Sequence, residues 1–239
     1  VKFDFDIWPI VSTHGWKYRS RDPQIINLIQ IHATRSGRKR TRLGRRWTME
    51  DERKSTTNWF RSPNNRVPGA PHEAAMASVL IGNGTLTRVM PDNMAPHHSL
   101  GHADATGLSI EICQPLEDMP FLRMDIELAA LVCAEWSARY NIPIKVLPFL
   151  SSDNHEAPGY VRHDRSAQGQ SVGKSDPGRL FDDRAFEALV RGDDMEDSQR
   201  IERAQVLTSL LAALLSGAPV TAVSKNFGKA IIDQLPEKN

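Results

Sequence analysis

The stretch "IINLIQIHATRSG" alternates in a way that predicts a strand. Ile25, Ile29 and Ile31 fall on one face with Asn27, and Ile26, Leu28, Gln30 and His32 fall on the other. Apolar residues on both faces predict a central strand covered on both sides, with His32 its last regular position before a polar loop. In "ASVLIGNGTLTRVMPD" two β-prone runs flank Asn83-Gly84, a pair suited to the positive-φ turn of a tight hairpin. "TGLSIEICQP" predicts another strand, with Leu108, Ile110 and Ile112 on one face and Ser109, Glu111 and Cys113 on the other. The period changes in "RMDIELAALVCAEWSARYNIP". Ile126, Ala129, Ala130, Cys133 and Trp136 recur at three-to-four spacing, so a helix is expected, stopped by Asn141 and Pro143.

"YVRHD" reads as a short strand and "DDRAFEALVRG" as a short helix ending at Gly192. From Thr41 to Pro71 the chain is polar and reads mainly as loop, with a short helix near "MEDERKSTTNWF". Beyond Gly192 an acidic entry, "DDMEDSQR", leads into "IERAQVLTSLLAALLSGAP", whose leucines from Leu207 to Leu215 suit the docking face of a packed helix. The resulting expectation is an α/β domain over residues 1–192, a central mixed β-sheet flanked by helices, followed by a helical C-terminal appendage over residues 193–239.

Composition changes this picture little: 40% hydrophobic and 25% charged residues are ordinary for a globular chain with a sizeable core. No apolar run approaches the roughly 18 residues of a membrane span, so none is expected. The N-terminal "VKFDFDIWPIV" lacks the basic-then-apolar layout of a signal peptide, which predicts synthesis in the cytoplasm. Two cysteines, Cys113 and Cys133, do not make a disulfide framework. Charge is more informative. "RSGRKRTRLGRR" (Arg35 to Arg46) holds seven of the 30 basic residues and no acid, leaving the rest of the chain net acidic. Such a stretch suits nucleic acid, a teichoic acid or a phosphate-rich surface, and it equally suits a solvated loop. It lacks the interleaved aromatics that stack on single-stranded bases.

Three separate segments offer chemistry: His32 at a strand end, Glu111 on a strand face, and "YVRHDRSAQGQSVGKSDPG", which carries His163, Lys174 and Asp176 in one loop. Two imidazoles and a carboxylate suffice for a catalytic zinc with one open position. A glutamate with a raised pKa can move protons beside it, and a lysine can stabilise an oxyanion. Together these would be a kit for amide hydrolysis. Each group also has a plainer role: a strand-end histidine satisfied in the core, a glutamate paired with an arginine such as Arg162, a solvated lysine. His14, His72 and His155 have no evident partner and read as surface residues, and Cys113 as a small core residue.

In this order the segments resemble the zinc-dependent N-acetylmuramoyl-L-alanine amidases, the type shared by phage endolysins, bacterial amidases and the peptidoglycan recognition proteins. The resemblance runs from about Ile25 to Phe181. "NLIQIHAT" matches the strand ending in the first zinc histidine, "SVLIGNGTLTRVMPD" the hairpin, "APHHSLGH" the histidine-rich turn, "GLSIEI" the strand with the catalytic acid, and "KSDPG" the closing signature. The resemblance implies His32, His163 and Asp176 as Zn²⁺ ligands, Glu111 as the catalytic acid/base and Lys174 as the oxyanion-stabilising residue. His98, in preference to His97, would line the substrate pocket. Two departures stand out: Ser78 occupies a position where the family often has histidine, and thirteen positions separate His163 from Asp176, a long loop for the family.

The implied activity is hydrolysis of the amide between the lactyl group of N-acetylmuramic acid and the L-alanine of the stem peptide. The implied setting is a phage endolysin made in the host cytoplasm and acting on the cell wall, with peptidoglycan as partner and no nucleic acid. Two rivals belong to other classes. A non-catalytic peptidoglycan-binding module would tolerate the loss of a ligand, yet all three positions carry competent types. A nucleic-acid-binding protein built on the basic stretch would bind DNA with steep salt dependence and no metal requirement.

Overall fold

The computed structural model describes residues 19–62, 64–65, 75–95, 102–148 and 157–193. His14, His72, His97, His98, His155 and the appendage from residue 194 onward lie outside the described residues. Two short strands, β1 (Arg19–Ser20) and β5 (Met94–Ala95), pair antiparallel. The main sheet holds β2 (Leu28–Ala33), β3 (Val79–Gly82), β4 (Thr85–Arg88), β6 (Gly107–Ile112) and β7 (Gly159–Arg162) in the order β4-β3-β6-β2-β7. Only the β3–β4 hairpin is antiparallel, so the sheet is mixed, as expected. Helices α1 (Met49–Phe60), α2 (His102–Thr106), α3 (Arg123–Tyr140), α4 (Ala167–Ser171) and α5 (Asp183–Arg191) complete the described fold. Among the described residues no helix is long and apolar enough to cross a membrane.

Strand alternation decides the layers. Ile29, Ile31, Val79, Ile81, Leu108, Ile110, Ile112 and Tyr160 join Leu128, Ala129, Cys133 and Trp136 of α3 and Phe186 and Val190 of α5 in one buried cluster. Opposite, Leu80 packs with Met49 and Phe60 of α1, so that helix covers the β3 side only. All six residues of β2 are buried, but its second face is no second apolar core: beyond Leu28 it carries Gln30 and His32. Ile25, read as part of this strand, belongs instead to a one-turn 3₁₀ helix (Pro23–Ile25) and is 45% exposed. Asp22 caps that turn, and Pro23 at its first position favours it over extended backbone.

Caps and turns fix the remaining boundaries. Thr48 and Asp51 form a reciprocal capping box at the start of α1. Asn141 and Gly192, both left-handed, end α3 and α5. In the hairpin turn Asn83 (φ 54°) and Gly84 (φ 70°) are both left-handed, the geometry that asparagine-glycine supplies. Asp125 at the start of α3 seals this turn, its carboxylate accepting from Asn83 N–H at 3.0 Å and Gly84 N–H at 2.7 Å. Asp125→Ala strands both donors and should cost about 2–3 kcal/mol of stability by urea unfolding.

A buried polar cluster, not foreseen from sequence, ties β1 and β4 to α3. Asp92 accepts from Arg139 (3.0 Å), Tyr140 (2.7 Å) and Arg88, while Arg21 reaches the carbonyls of Asp92 and Gly107. Glu135 joins through Arg139. Burial above all pushes the Glu135 carboxyl up to about 7, against the pull of Arg139, with Asp92 adding to the rise. A folded pKa above the unfolded one means stability present in acid and lost as pH rises through 7. Relative to Glu135→Gln, the unsubstituted protein should lose up to roughly 3 kcal/mol between about pH 5 and 8, read from urea midpoints.

Candidate metal centre

The sheet brings the three segments together by register. Parallel pairing sets His32 of β2 directly beside Glu111 of β6. On the other side Ile31 pairs with Arg162, so His163, one residue past β7, comes level with His32. Neighbouring strands lie about 4.8 Å apart, which places a carboxylate and two imidazoles in a row at the carboxyl ends of three parallel strands. In open α/β sheets this end is where ligand crevices form.

The loop after His163 supplies the fourth group. A 3₁₀ turn (His163–Arg165) and α4, capped by Ser166, occupy the long interval before Asp176. Gly169 packs against the His163 carbonyl so closely that an added Cβ would lie 1.8 Å from its oxygen. Asp164 N–H donates to the Asp176 carbonyl at 2.7 Å and brings the chain back beside the sheet. The Asp176 carboxylate then accepts from Ala33 N–H at 3.3 Å, next to His32.

The result is a tight triangle of atoms able to hold a metal ion. His32 Nδ1 lies 2.9 Å from His163 Nδ1, Asp176 Oδ2 lies 3.1 Å from His163 Nδ1, and His32 Nδ1 is 3.6 Å from the same oxygen. Atoms bound tetrahedrally to one zinc at roughly 2.0–2.1 Å are about 3.3 Å apart, so the donor set and its spacing both fit that ion. All three residues are buried. Burial first, then the neighbouring His163, pushes the His32 imidazole down to about 4, which keeps it neutral with a lone pair to offer. For Asp176, burial works against ionisation, but hydrogen bonds from both histidines overcome it and hold the carboxyl well below its usual range. A neutral His32 imidazole and an ionised carboxylate converging in a dry site are what a cation needs.

Glu111 is the other distinctive group. Its Oε2 is buried and has no hydrogen-bond partner among the described residues. Burial pushes its carboxyl well above the usual range, with Asp176 and Glu52 adding to the rise and Lys174 easing it. Arg162 does not pair with it, contrary to the plainer reading, and instead binds Asp164, Asp183 and the Gly178 carbonyl. Lys174 is exposed, and its charge reaches Glu111. Ser78 is buried and exchanges bonds with Ser109 of β6 at 3.0 and 3.1 Å. Cys113 is fully buried, its thiol pushed up by burial, and is outside the ligand group.

Two supporting residues escaped the sequence reading. Glu52 is wholly buried and receives Thr34 Oγ1 (2.6 Å), Ser36 N–H (3.1 Å), Ser36 Oγ (2.5 Å) and Trp47 Nε1 (2.8 Å), fixing the loop that leaves His32. The nearby capping box was legible as "TMED", but a glutamate in its first turn normally faces water. Arg35 spans from Gln114 (3.1 Å) to Ser175 Oγ (2.7 Å) and so braces the loop carrying Lys174 and Asp176.

Among solved structures, the catalytic domain of XlyA has the same fold at 16% identity, covering 80% of this chain and 99% of that one, with a TM-score of 0.51. A mutant endolysin from Bacillus subtilis gives 16% identity, the same 80% and 99% coverage and a TM-score of 0.50. The Staphylococcus aureus hydrolase AmiA in complex with its ligand gives 12%, 80% and 82%, and 0.50. No curated protein sequence matches the chain. The sequence profile described as N-acetylmuramoyl-L-alanine amidase matches residues 21–179, a span that contains all three candidate ligands and both candidate catalytic groups. On that match over more than half its length, the chain belongs to the N-acetylmuramoyl-L-alanine amidase family.

Proposed function

We propose that the protein is a zinc-dependent peptidoglycan hydrolase, cleaving the amide between the muramic lactyl group and L-alanine. The observation that carries this reading is the Nδ1, Nδ1, Oδ2 triangle of His32, His163 and Asp176 beside a buried glutamate oxygen without a partner among the described residues. In this reading His32, His163 and Asp176 hold the ion, which supplies Lewis acidity toward the amide carbonyl and the attacking water. Glu111, its carboxyl raised by burial, would take the proton from the attacking water and pass it to the leaving amine of L-alanine. Lys174 offers its ammonium to the oxyanion that develops on the carbonyl oxygen.

The polar face of β2 and β6 orients these groups because it is built on strands, which hold side chains more tightly than loops do. His98 as a pocket-lining residue remains part of the proposal. A phage-type endolysin, made in the host cytoplasm and acting on the wall, is the setting we favour; family membership and the endolysin of like fold support it. Residues 1–192 would form the catalytic domain and 193–239 its helical appendage.

Lys174→Ala should lower turnover about a hundredfold with metal content unchanged, measured on a soluble muramoyl peptide. The bond cleaved is tested by labelling new amines in a digest of purified peptidoglycan. New N-terminal L-alanine supports the amidase. New reducing sugar ends, or intact stems with the protein sedimenting on the wall, would contradict it, the latter in favour of a binding module.

A further inference from the structure

The basic stretch is a built element rather than a slack loop. Trp47 N–H donates to the Lys39 carbonyl at 3.0 Å, Thr41 N–H to Arg45 at 2.9 Å and Gly44 N–H to Thr41 at 3.0 Å, with Arg40 bridged to Arg46. These bonds make a small hairpin whose tip, Leu43, is 91% exposed. Its base is pinned by the two-pronged ion pair of Arg45 with Asp51 and by Arg38 stacked on Trp47 at 5.0 Å. Arg35 then connects the hairpin to the site: it bonds Ser175, one residue from both Lys174 and Asp176, and fills the space beside Gly178.

Among the described residues, only Arg35 and Arg45 of the seven cations meet an acid, Glu117 and Asp51 respectively. Arg38, Lys39, Arg40, Arg42 and Arg46 are exposed and have no acidic partner among the described residues. Uncompensated cations this dense repel one another, and a hairpin that holds them in place suits a partner with closely repeated negative charge. Guanidinium groups favour phosphate oxygens, which they meet with two parallel hydrogen bonds. A stem peptide offers carboxylates too sparsely to match such spacing, and one isolated leucine is an ordinary surface feature rather than a membrane device.

We infer that the Arg38–Arg46 hairpin is a docking surface for a phosphodiester-bearing polymer of the cell wall, and that it holds the enzyme on walls whose glycan is presented to the adjoining metal site. This rests on the amidase reading for the substrate, but the binding itself does not. Five contacts at about 0.7 released ions each, the value for flexible strands, predict a loss of wall affinity on the order of a hundredfold between roughly 50 and 200 mM salt.

The test sediments the full-length protein with purified walls, intact or chemically stripped of phosphodiester polymer, across a salt series. Intact walls should bind about tenfold or more tighter than stripped walls at low salt. The Lys39→Gln/Arg42→Gln/Arg46→Gln protein should lose that advantage and flatten the salt dependence, while its turnover of a soluble muramoyl peptide stays unchanged. Leu43→Ser should behave as the parent. Equal binding to intact and stripped walls overturns the inference without any variant, as does tighter binding to anionic phospholipid vesicles or to DNA. Failure to cleave the soluble peptide would overturn the amidase reading instead, and leaves the wall comparison fully interpretable.

Discussion

His163→Ala and Asp176→Ala should each strip the protein of bound metal and of wall lysis together. Each removes one of three proposed ligand atoms that lie 2.9 to 3.6 Å apart. The remaining pair cannot hold a catalytic ion, which takes three protein ligands as a rule. Loss of even an outer-shell partner commonly costs 10–100-fold in metal affinity or activity, as an approximate scale, so loss of a ligand should exceed about a hundredfold. Metal content after gel filtration and turnover of a soluble muramoyl peptide should therefore fall together. Retained metal in Asp176→Ala would remove that residue from the ligand set.

Glu111→Gln separates the two. The amide has nearly the volume of the carboxylate and sits on the same strand, so β6 and its register with His32 are kept. It cannot take a proton from water, and turnover should fall by roughly 10²- to 10⁴-fold with metal content unchanged. Stability should not fall, because the substitution replaces a buried carboxylate oxygen that has no partner among the described residues by a neutral group. Glu111→Ala should behave alike in turnover. Near-normal activity in either variant would mean that another group moves the proton.

Much of the site was legible because its groups sit where the sequence is most regular. β2 and β6 alternate cleanly, so His32 at the end of one strand and Glu111 beside Ser109 and Cys113 on one face of the other followed from period alone. That the two strands are neighbours did not follow, since pairing between parallel strands is set by the intervening crossover. The hairpin at Asn83-Gly84 and the end of α3 at Asn141 were announced by residues that tolerate positive φ. The roles of His163, Lys174 and Asp176 came from resemblance. No local pattern reveals that a 3₁₀ turn and a one-turn helix return Asp176 to within 3.1 Å of His163.

The misses have a common physical cause. Ile25 looked like strand because it is apolar, but the Asp22-Pro23 start is stronger locally and the side chain stays in water. Glu52, Asp125 and the Asp92–Arg139–Glu135 cluster are buried charges, whose burial depends on partners far away in the chain. Sequence period marks such residues as surface. Likewise the basic stretch revealed its charge but not its hairpin, whose backbone bonds follow no hydrophobic pattern.

The most direct test is mass spectrometry of purified peptidoglycan digested by the protein as prepared, after chelation, and after zinc is added back. Stem peptides with a free L-alanine amine should be released, should vanish on chelation and should return with zinc. Undiminished release after complete removal of metal would contradict the account.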